Sequence, residues 1–165
     1  MQTNPITVRD ANPGDLDTVW EFIQKKAAFD NWLDRLTATP QALSDAMFGQ
    51  PPQMGILLAE LDLKVVGFAS YFFTFSTYLC RRCVWLDDLY VDEGARRRGV
   101  GTELLRTLAK KAHQEGYPRI EWVTAAANAT AINFYERIGA TVRQNSRVCR
   151  LEEMAIAAIA DGLVS

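Results

Sequence analysis

The sequence predicts a mixed α/β (α+β) domain in which helices pack on a mostly antiparallel sheet. Strand-like and helix-like segments follow one another in the order β-α-α-β-β-β-α-β-α-β, which is typical of this fold class. Three adjacent strands with short connections indicate an antiparallel meander. A β-α-β unit over residues 84–123 indicates one parallel strand pair. A length of 165 residues fits a single domain that spans residues 1–165.

The first part of the chain predicts one strand and two helices. We expect a short strand over residues 6–9, and a helix over residues 15–28 with Asp15 as its cap. The second helix covers residues 39–48, with Pro40 in its first turn. Apolar residues recur at helical spacing on the first helix and should face the core: Leu16, Val19, Trp20 and Ile23.

The middle of the chain predicts the meander and then an amphipathic helix. Apolar and β-branched runs indicate strands over residues 55–61, 65–75 and 84–91. The helix covers residues 100–114 and ends before Gly116. Its apolar stripe consists of Leu104, Leu105, Leu108, Ala109 and Ala112.

The last part of the chain continues the alternation. We expect a strand over residues 120–123 and a helix over residues 130–138 that ends at Gly139. Residues 141–151 predict one or two returning strands, and residues 152–163 an apolar helix.

Composition excludes several classes of protein. Hydrophobic residues make up 48% and charged residues 23%, an ordinary balance for a folded domain with one core. The net charge is -2 and the dense basic cluster is confined to residues 96–98, which disfavours a nucleic-acid partner. The start of the chain lacks a secretory pattern, and the apolar region over residues 65–79 is too short to span a bilayer. We expect a soluble, cytoplasmic protein without a membrane partner.

The cysteines do not predict a metal site. Cys80 and Cys83 form a C-x-x-C pair, but a zinc site would need two more ligands, and only Cys149 and His113 remain. A redox pair is expected at a helix start, whereas this pair lies between two strands. We interpret the pair as thiols near a hairpin turn, His113 as a surface residue, and the protein as free of metal.

A loop that leads from a strand into the amphipathic helix predicts a phosphate-binding site. Gly99 and Gly101 lack side chains where a ligand must approach the backbone closely. The first amides of the helix have no partner within it, and the helix dipole places partial positive charge there. Phosphate oxygens suit such a site, and the arginines of residues 96–98 add charge-assisted hydrogen bonds.

Two common phosphate motifs do not fit this loop. A P-loop would need Gly-x-x-x-x-Gly-Lys-Ser/Thr, which is missing from the sequence. A dinucleotide fingerprint would need a third glycine where Leu104 stands. Taken by itself, the loop is equally consistent with a charged turn that begins a surface helix.

A second segment decides between these interpretations. The run Asn-Ala-Thr-Ala-Ile-Asn-Phe-Tyr-Glu-Arg-Ile-Gly-Ala over residues 128–140 follows the next strand. Together with Arg96-x-x-Gly-x-Gly101, it resembles the GNAT superfamily of N-acetyltransferases. Residues 67–75 and 86–91 resemble its diamine (spermidine/spermine) acetyltransferase branch and thialysine-acetylating relatives. The resemblance extends over roughly residues 6–152, and the tail is its least secure part.

The resemblance implies a GNAT-type sheet with a central, splayed parallel strand pair that holds acetyl-CoA as co-substrate. The backbone of the first strand of the pair would bind the pantetheine arm, and the glycine loop would bind the pyrophosphate. The amide that follows Asp88 would polarise the thioester carbonyl. The implied acetyl-CoA residues are Leu89, Tyr90, Val91, Arg96, Arg97, Arg98, Gly99, Val100, Gly101, Thr102, Asn128 and Ala131.

The resemblance also implies two catalytic residues. Asp87 matches a glutamate that is thought to accept the proton of the amine through water, and the shorter aspartate favours a bridging water. A proton acceptor is needed because an amine with a pKa of about 10.4 arrives as unreactive ammonium. Tyr135 matches the tyrosine that protonates the departing thiolate; the alternative role is a core aromatic. Asp87 and Asp88 would face opposite sides of a regular strand, so both reach one substrate only if a bulge intervenes.

The amine site is the less specific part of the resemblance. Candidate substrate-binding residues are Phe29, Asp30, Tyr78, Trp85, Asp87 and Asp88, with Trp32 as a further aromatic wall. Phe29 and Trp32 are equally consistent with core packing. The branch usually has an acidic residue where Ser76 stands, which disfavours spermine and spermidine. A shorter diamine or a lysine-like amino acid fits as well.

Three functions remain after this comparison. A small-molecule amine N-acetyltransferase leads, followed by an enzyme that acetylates a protein N-terminus or lysine. The third is a non-catalytic sensor of acyl-CoA, against which Gly99, Gly101 and Tyr135 argue because they are all present. Members of the diamine branch commonly form homodimers, so the resemblance also implies a homodimer.

Overall fold

The computed structural model describes residues 5–162, in which five strands and five helices form the main elements. The strands are β1 (Thr7–Asp10), β2 (Gly55–Leu61), β3 (Lys64–Ser76), β4 (Arg81–Val91) and β5 (Ile120–Glu121). The helices are α1 (Leu16–Phe29), α2 (Pro40–Phe48), α3 (Val100–Gln114), α4 (Ala129–Arg137) and α5 (Glu153–Ala160). None of the helices within residues 5–162 combines the length and the apolar character needed to cross a membrane.

One sheet organises the part of the chain before residue 124. Its strand order is β1-β2-β3-β4-β5, with antiparallel pairing from β1 to β4 and parallel pairing between β4 and β5. The predicted meander and the predicted parallel pair are both confirmed, and so is the fold class. The parallel pair lies at the edge of the sheet rather than at its centre, because β5 is the last strand of the order.

Helices α1 and α2 cover one face of the sheet. Val19 and Phe22 of α1 pack with Ile56 and Leu58 of β2 and with Phe68 of β3 in one buried cluster. The predicted core residues Leu16, Trp20 and Ile23 pack against that cluster in partly buried positions. The apolar spacing of α1 therefore predicted its core-facing side correctly.

Helix α3 packs against the sheet, and its ends match the prediction to the residue. Leu104, Leu105, Leu108 and Ala112 are buried. Ala109 is exposed, contrary to the prediction. It lies one turn after Leu105, at the margin of the apolar stripe of the helix. Gly116 ends the helix with a left-handed backbone at φ 71°.

The predicted start of α2 has a side-chain cap, whereas the predicted start of α1 does not. Thr39 caps α2, since its hydroxyl accepts a hydrogen bond from the amide of Ala42 at 3.2 Å. The predicted cap by Asp15 is wrong: its carboxylate makes no capping hydrogen bond to α1. It accepts two hydrogen bonds from Arg9 at 2.7 and 2.8 Å instead, because a bidentate guanidinium is the stronger partner.

The residues after Val123 group into a second compact unit that contains α4 and α5. Asn128 caps α4, and Gly139 follows it with φ 91°. The predicted strands over residues 141–151 are not formed; their side chains are mostly exposed, and strand propensity without a pairing partner does not produce a strand. The predicted tail helix is present as α5, and residue 163 of that prediction lies outside the described residues.

Candidate functional site

A β-bulge in β4 places Asp87 outside the regular ladder. Tyr71 of β3 is paired with Leu86 and the preceding Ser70 with Asp88, so Asp87 is the extra residue of β4. Leu86 is buried, whereas the carboxylate of Asp88 lies beside Ser70 and Lys26 of α1. Such a bulge interrupts the alternation of a regular strand, which is the condition under which both aspartates can reach one substrate.

The two aspartates lie close enough to influence each other. Trp85 donates a hydrogen bond from Nε1 to Oδ1 of the exposed Asp87 at 3.3 Å. Burial raises the pKa of Asp88, Lys26 opposes that effect, and the charge of Asp87 raises the pKa further. The pair therefore combines one exposed carboxylate with one that is partly shielded from water.

Asp88 is held by three polar contacts. Its amide donates to Ser70 Oγ at 3.0 Å, and its Oδ2 accepts from the same hydroxyl at 3.4 Å. Its Oδ1 lies 3.3 Å from Nζ of Lys26. With a side chain that is 31% exposed and these partners in place, Asp88 is fixed in position on the sheet.

Lys26 joins two of the predicted substrate residues. Its ammonium forms an ion pair with Asp30, four residues later on α1, as well as with Asp88 of β4. Burial works against the charge of Lys26, but the hydrogen bond of Asp30 and the field of Asp88 raise its pKa. Sequence reasoning selected both acids and missed Lys26, although its spacing from Asp30 is typical of a helical ion pair.

Arg96 ties the start of the loop to the end of α1. Its Nε donates to the carbonyl oxygen of Val91 at 2.9 Å. Its guanidinium lies 4.9 Å from the ring centre of Phe29 and 5.8 Å from that of Tyr90, and these two rings contact each other edge to face. Phe29 is 53% exposed, so it is a wall at the protein surface and not a core residue.

Beyond Trp85, the edge of β4 that faces β5 loses its strand partner. The parallel pairing consists of Val84 with Ile120 and Trp85 with Glu121, whereas β4 continues to Val91. On the other edge, Ala69 and Gly67 of β3 pair with Leu89 and Val91. Within the described residues, residues 87–91 thus have no strand partner on the β5 side, where only Val91 is seen to be engaged, through the bond of its carbonyl to Arg96; this agrees with a splayed pair.

The start of α3 has the backbone geometry of an anion site. Gly99 is the N-cap in a left-handed conformation with φ 90°, and Arg97 also has a positive φ of 60°. Gly67 of β3 allows close packing here: a Cβ on it would lie 2.8 Å from the carbonyl oxygen of Tyr90 and 3.4 Å from Val100. Arg97 and Arg98 are exposed, and Gly101 and Thr102 lie half-buried in the first turn of α3.

The remaining candidates of the resemblance lie on α4. Oδ1 of Asn128 accepts a hydrogen bond from the amide of Ala131 at 3.1 Å, so the motif asparagine has a structural role as a cap. Tyr135 is half-buried in the same helix, and its ring centre lies 5.4 Å from that of Phe134.

Some predicted residues are not brought to the aspartates. Tyr78 lies in the turn between β3 and β4 and is 99% exposed, several residue pairs along the hairpin from the bulge. Trp32 is exposed beyond α1 and packs against the guanidinium of Arg35. As expected, His113 is exposed and the C-x-x-C pair lies near the hairpin turn, where Cys83 is buried in β4. Within residues 5–162, no cluster of His, Cys, Asp and Glu suits a metal ion.

Comparison with known proteins assigns the chain to one family. A model of the acetyltransferase (GNAT) family matches residues 19–140. The chain belongs to the GNAT acetyltransferase family. The resemblance seen in the motifs is confirmed, and with it the expectation of an acyltransferase enzyme.

Two curated acetyltransferases and one solved structure illustrate what the chain is similar to. The chain is 39% identical over 98 residues to an L-ornithine N5-acetyltransferase of Arabidopsis thaliana, covering 59% of this chain and 43% of that protein. It is 27% identical over 143 residues to a thialysine N-epsilon-acetyltransferase of Bos taurus, covering 82% and 84%. Its fold matches an integron cassette protein from the mobile metagenome of V. cholerae with a TM-score of 0.75 and 26% identity, covering 94% and 97%.

Proposed function

We propose that this GNAT domain transfers the acetyl group of acetyl-CoA to a primary amine of a small molecule. The amine, which is a diamine, a polyamine or a lysine-like amino acid, attacks directly within a ternary complex. The observation that carries the proposal is the bulge of β4, which presents Asp87 beside Asp88 at the point where β4 loses its strand partner. Relatives named for ornithine and thialysine support an amine at the end of a short chain.

The open edge of β4 and the start of α3 fit acetyl-CoA. The part of β4 that lacks a strand partner on the β5 side suits the pantetheine arm, and the N-terminus of α3 suits the pyrophosphate. Arg96 keeps its Nε engaged with Val91, so it would act on the phosphates through its terminal nitrogens. The proposed contacts are Leu89, Tyr90, Val91, Arg96, Arg97, Arg98, Gly99, Val100, Gly101, Thr102, Asn128 and Ala131.

Asp87 and Tyr135 are the proposed catalytic residues. Asp87, exposed on its bulge, accepts a proton from the ammonium through a bridging water, which leaves the nitrogen lone pair free to attack the thioester carbonyl. The amide of Leu89 or Tyr90 stabilises the negative charge that forms on the carbonyl oxygen. Tyr135 then donates its phenolic proton to the departing thiolate.

The proposed amine site lies around the bulge. Trp85 and Phe29 supply aromatic surface, Asp87 supplies a carboxylate, and Asp30 and Asp88 share the ammonium of Lys26. We further propose that residues 1–165 form one catalytic domain that works as a cytoplasmic homodimer without a metal ion, and without a nucleic-acid or membrane partner.

The test is release of free CoA thiol from acetyl-CoA in the presence of an amine panel. The panel contains putrescine, spermidine, lysine, ornithine, thialysine and a short peptide. We expect turnover on one or two small amines and a fall in kcat of about 10²- to 10⁴-fold in Tyr135→Phe, the range for loss of a general acid. Turnover on the peptide alone would contradict the small-molecule assignment, and acetyl-CoA binding without any turnover would indicate a sensor.

A further inference from the structure

We infer that Lys26 supplies, from the chain itself, the second ammonium of the amine site, so that the site uses an alkyl diamine no better than a monoamine of the same length bound at Asp87. The inference rests on the proposed function and narrows its substrate class.

The ammonium of Lys26 occupies the place where a second substrate cation would bind. It pairs with Asp30 on its own helix and with Asp88 across on β4, at 3.3 Å from Oδ1. These are two of the three carboxylates proposed to meet a substrate ammonium. The Lys26 side chain is only 20% exposed, so its ammonium is largely shielded from water.

Asp87 differs from the other two acids in its partners. Its carboxylate accepts a hydrogen bond from Trp85 Nε1, and within residues 5–162 it takes part in none of the ion pairs. One carboxylate therefore remains for the reacting amine, while Asp30 and Asp88 are already neutralised in part by a cation of the chain.

Displacement of Lys26 by a substrate would be unfavourable. An ammonium removed from two carboxylates in a partly buried position must be rehydrated or left unpaired, and breaking such a pair destabilises the protein. A diamine must therefore bind with its second ammonium in solvent, where an ion pair contributes little. It gains no advantage over a monoamine of the same length.

The neighbouring residue on α1 provides a matched control. Lys25 pairs with Glu21 and with Asp92, and it contacts neither Asp30 nor Asp88 in the ion pairs of the described residues. Lys25→Met and Lys26→Met each remove one positive charge from the same helix. Only Lys26→Met leaves Asp30 and Asp88 without their cation.

The experiment compares kcat/KM for butylamine and putrescine, which share one carbon chain, in the wild type and both variants. We expect the putrescine-to-butylamine ratio of the wild type to stay within about fivefold of one, the range of exposed ion pairs. In Lys26→Met the ratio should rise by at least about tenfold, because the second ammonium gains hydrogen bonds to charged partners. Lys25→Met should keep the wild-type ratio.

The affinity for putrescine, measured by calorimetric titration, distinguishes the role of Lys26 from the proposed amine acetylation. If turnover occurs but neither the ratio nor putrescine affinity changes in Lys26→Met, the role of Lys26 is wrong and the proposed function stands. If none of the proteins turns over an amine, yet Lys26→Met binds putrescine at least about tenfold more tightly than wild type, amine acetylation is wrong and the role of Lys26 stands. A strong preference of the wild type for putrescine overturns the inference directly.

Discussion

The two adjacent aspartates of β4 differ in exposure and in polar partners, and we therefore expect them to have different roles. Asp87 is exposed on the bulge, whereas Asp88 is held by Ser70 and Lys26. We expect Asp87→Asn to lower kcat by about 10²-fold or more while thermal stability stays near wild type. We expect Asp88→Asn to change the free energy of unfolding by less than about 1 kcal/mol, because Lys26 keeps Asp30 as its charged partner and burial already disfavours the charged form of Asp88 by raising its pKa.

Steady-state kinetics and denaturant unfolding of the two variants test this assignment. Asp87→Glu serves as the control, since it keeps a carboxylate at the bulge and should retain most of the activity. If Asp88→Asn abolished turnover while Asp87→Asn remained active, Asp88 would be the proton acceptor; burial already raises its pKa, which would suit that role.

For individual residues, the sequence predicted which residue types belong to the site, but it did not predict which side chains bind one another. The acids Asp30, Asp87 and Asp88 were selected because the family chemistry needs carboxylates. The ion pairs of Lys26 depend on how α1 lies across β4, which no spacing within one segment specifies. The cap by Asp15 failed for a similar reason, since Arg9 of β1 offered a stronger partner than the helix amides.

Among the elements, the start of α3 decides the binding of acetyl-CoA. Gly99 adopts φ 90°, and alanine in a left-handed conformation costs about 1–2 kcal/mol. A Cβ there would lie 3.7 Å from Ile6, an ordinary contact, so backbone strain is the only penalty. We expect Gly99→Ala to be less stable by that amount and to bind acetyl-CoA more weakly.

Calorimetry with acetyl-CoA and thermal unfolding measure both effects. Gly94→Ala is the control in the same loop, because a Cβ on Gly94 would have no neighbour within 4 Å. Equal affinity of Gly99→Ala and wild type for acetyl-CoA would remove the start of α3 from the proposed site.

Elements with strong periodicity were predicted well, and irregular ones were not. The apolar stripe and the flanking glycines gave α3 its correct ends, because both signals are local. The bulge at Asp87 inserts one residue between paired strands, and the sequence of β4 alone does not reveal its register with β3. The strands expected over residues 141–151 are not formed, and their side chains are mostly exposed, so apolar strand propensity by itself does not produce a paired strand.

For the molecule as a whole, the second unit exposes apolar side chains that suit a homodimer. Met154 of α5 is 86% exposed, and further exposed apolar residues are Val148, Leu151, Ile156 and Ile159. Surfaces of this kind mark interaction sites. We expect sedimentation equilibrium to give twice the mass of the chain, and Ile156→Asp to give a monomer; a monomeric wild type would contradict the proposed homodimer.

In the proposed reaction, the acetyl group of acetyl-CoA reaches the nitrogen of a small amine. The most direct test incubates the protein with acetyl-CoA and the amine panel and identifies the products by mass spectrometry. We expect one small amine to gain the mass of a single acetyl group, and this product to be lost in Tyr135→Phe. An acetyl group found on peptide or protein alone, or product formation unchanged in Tyr135→Phe, would contradict it.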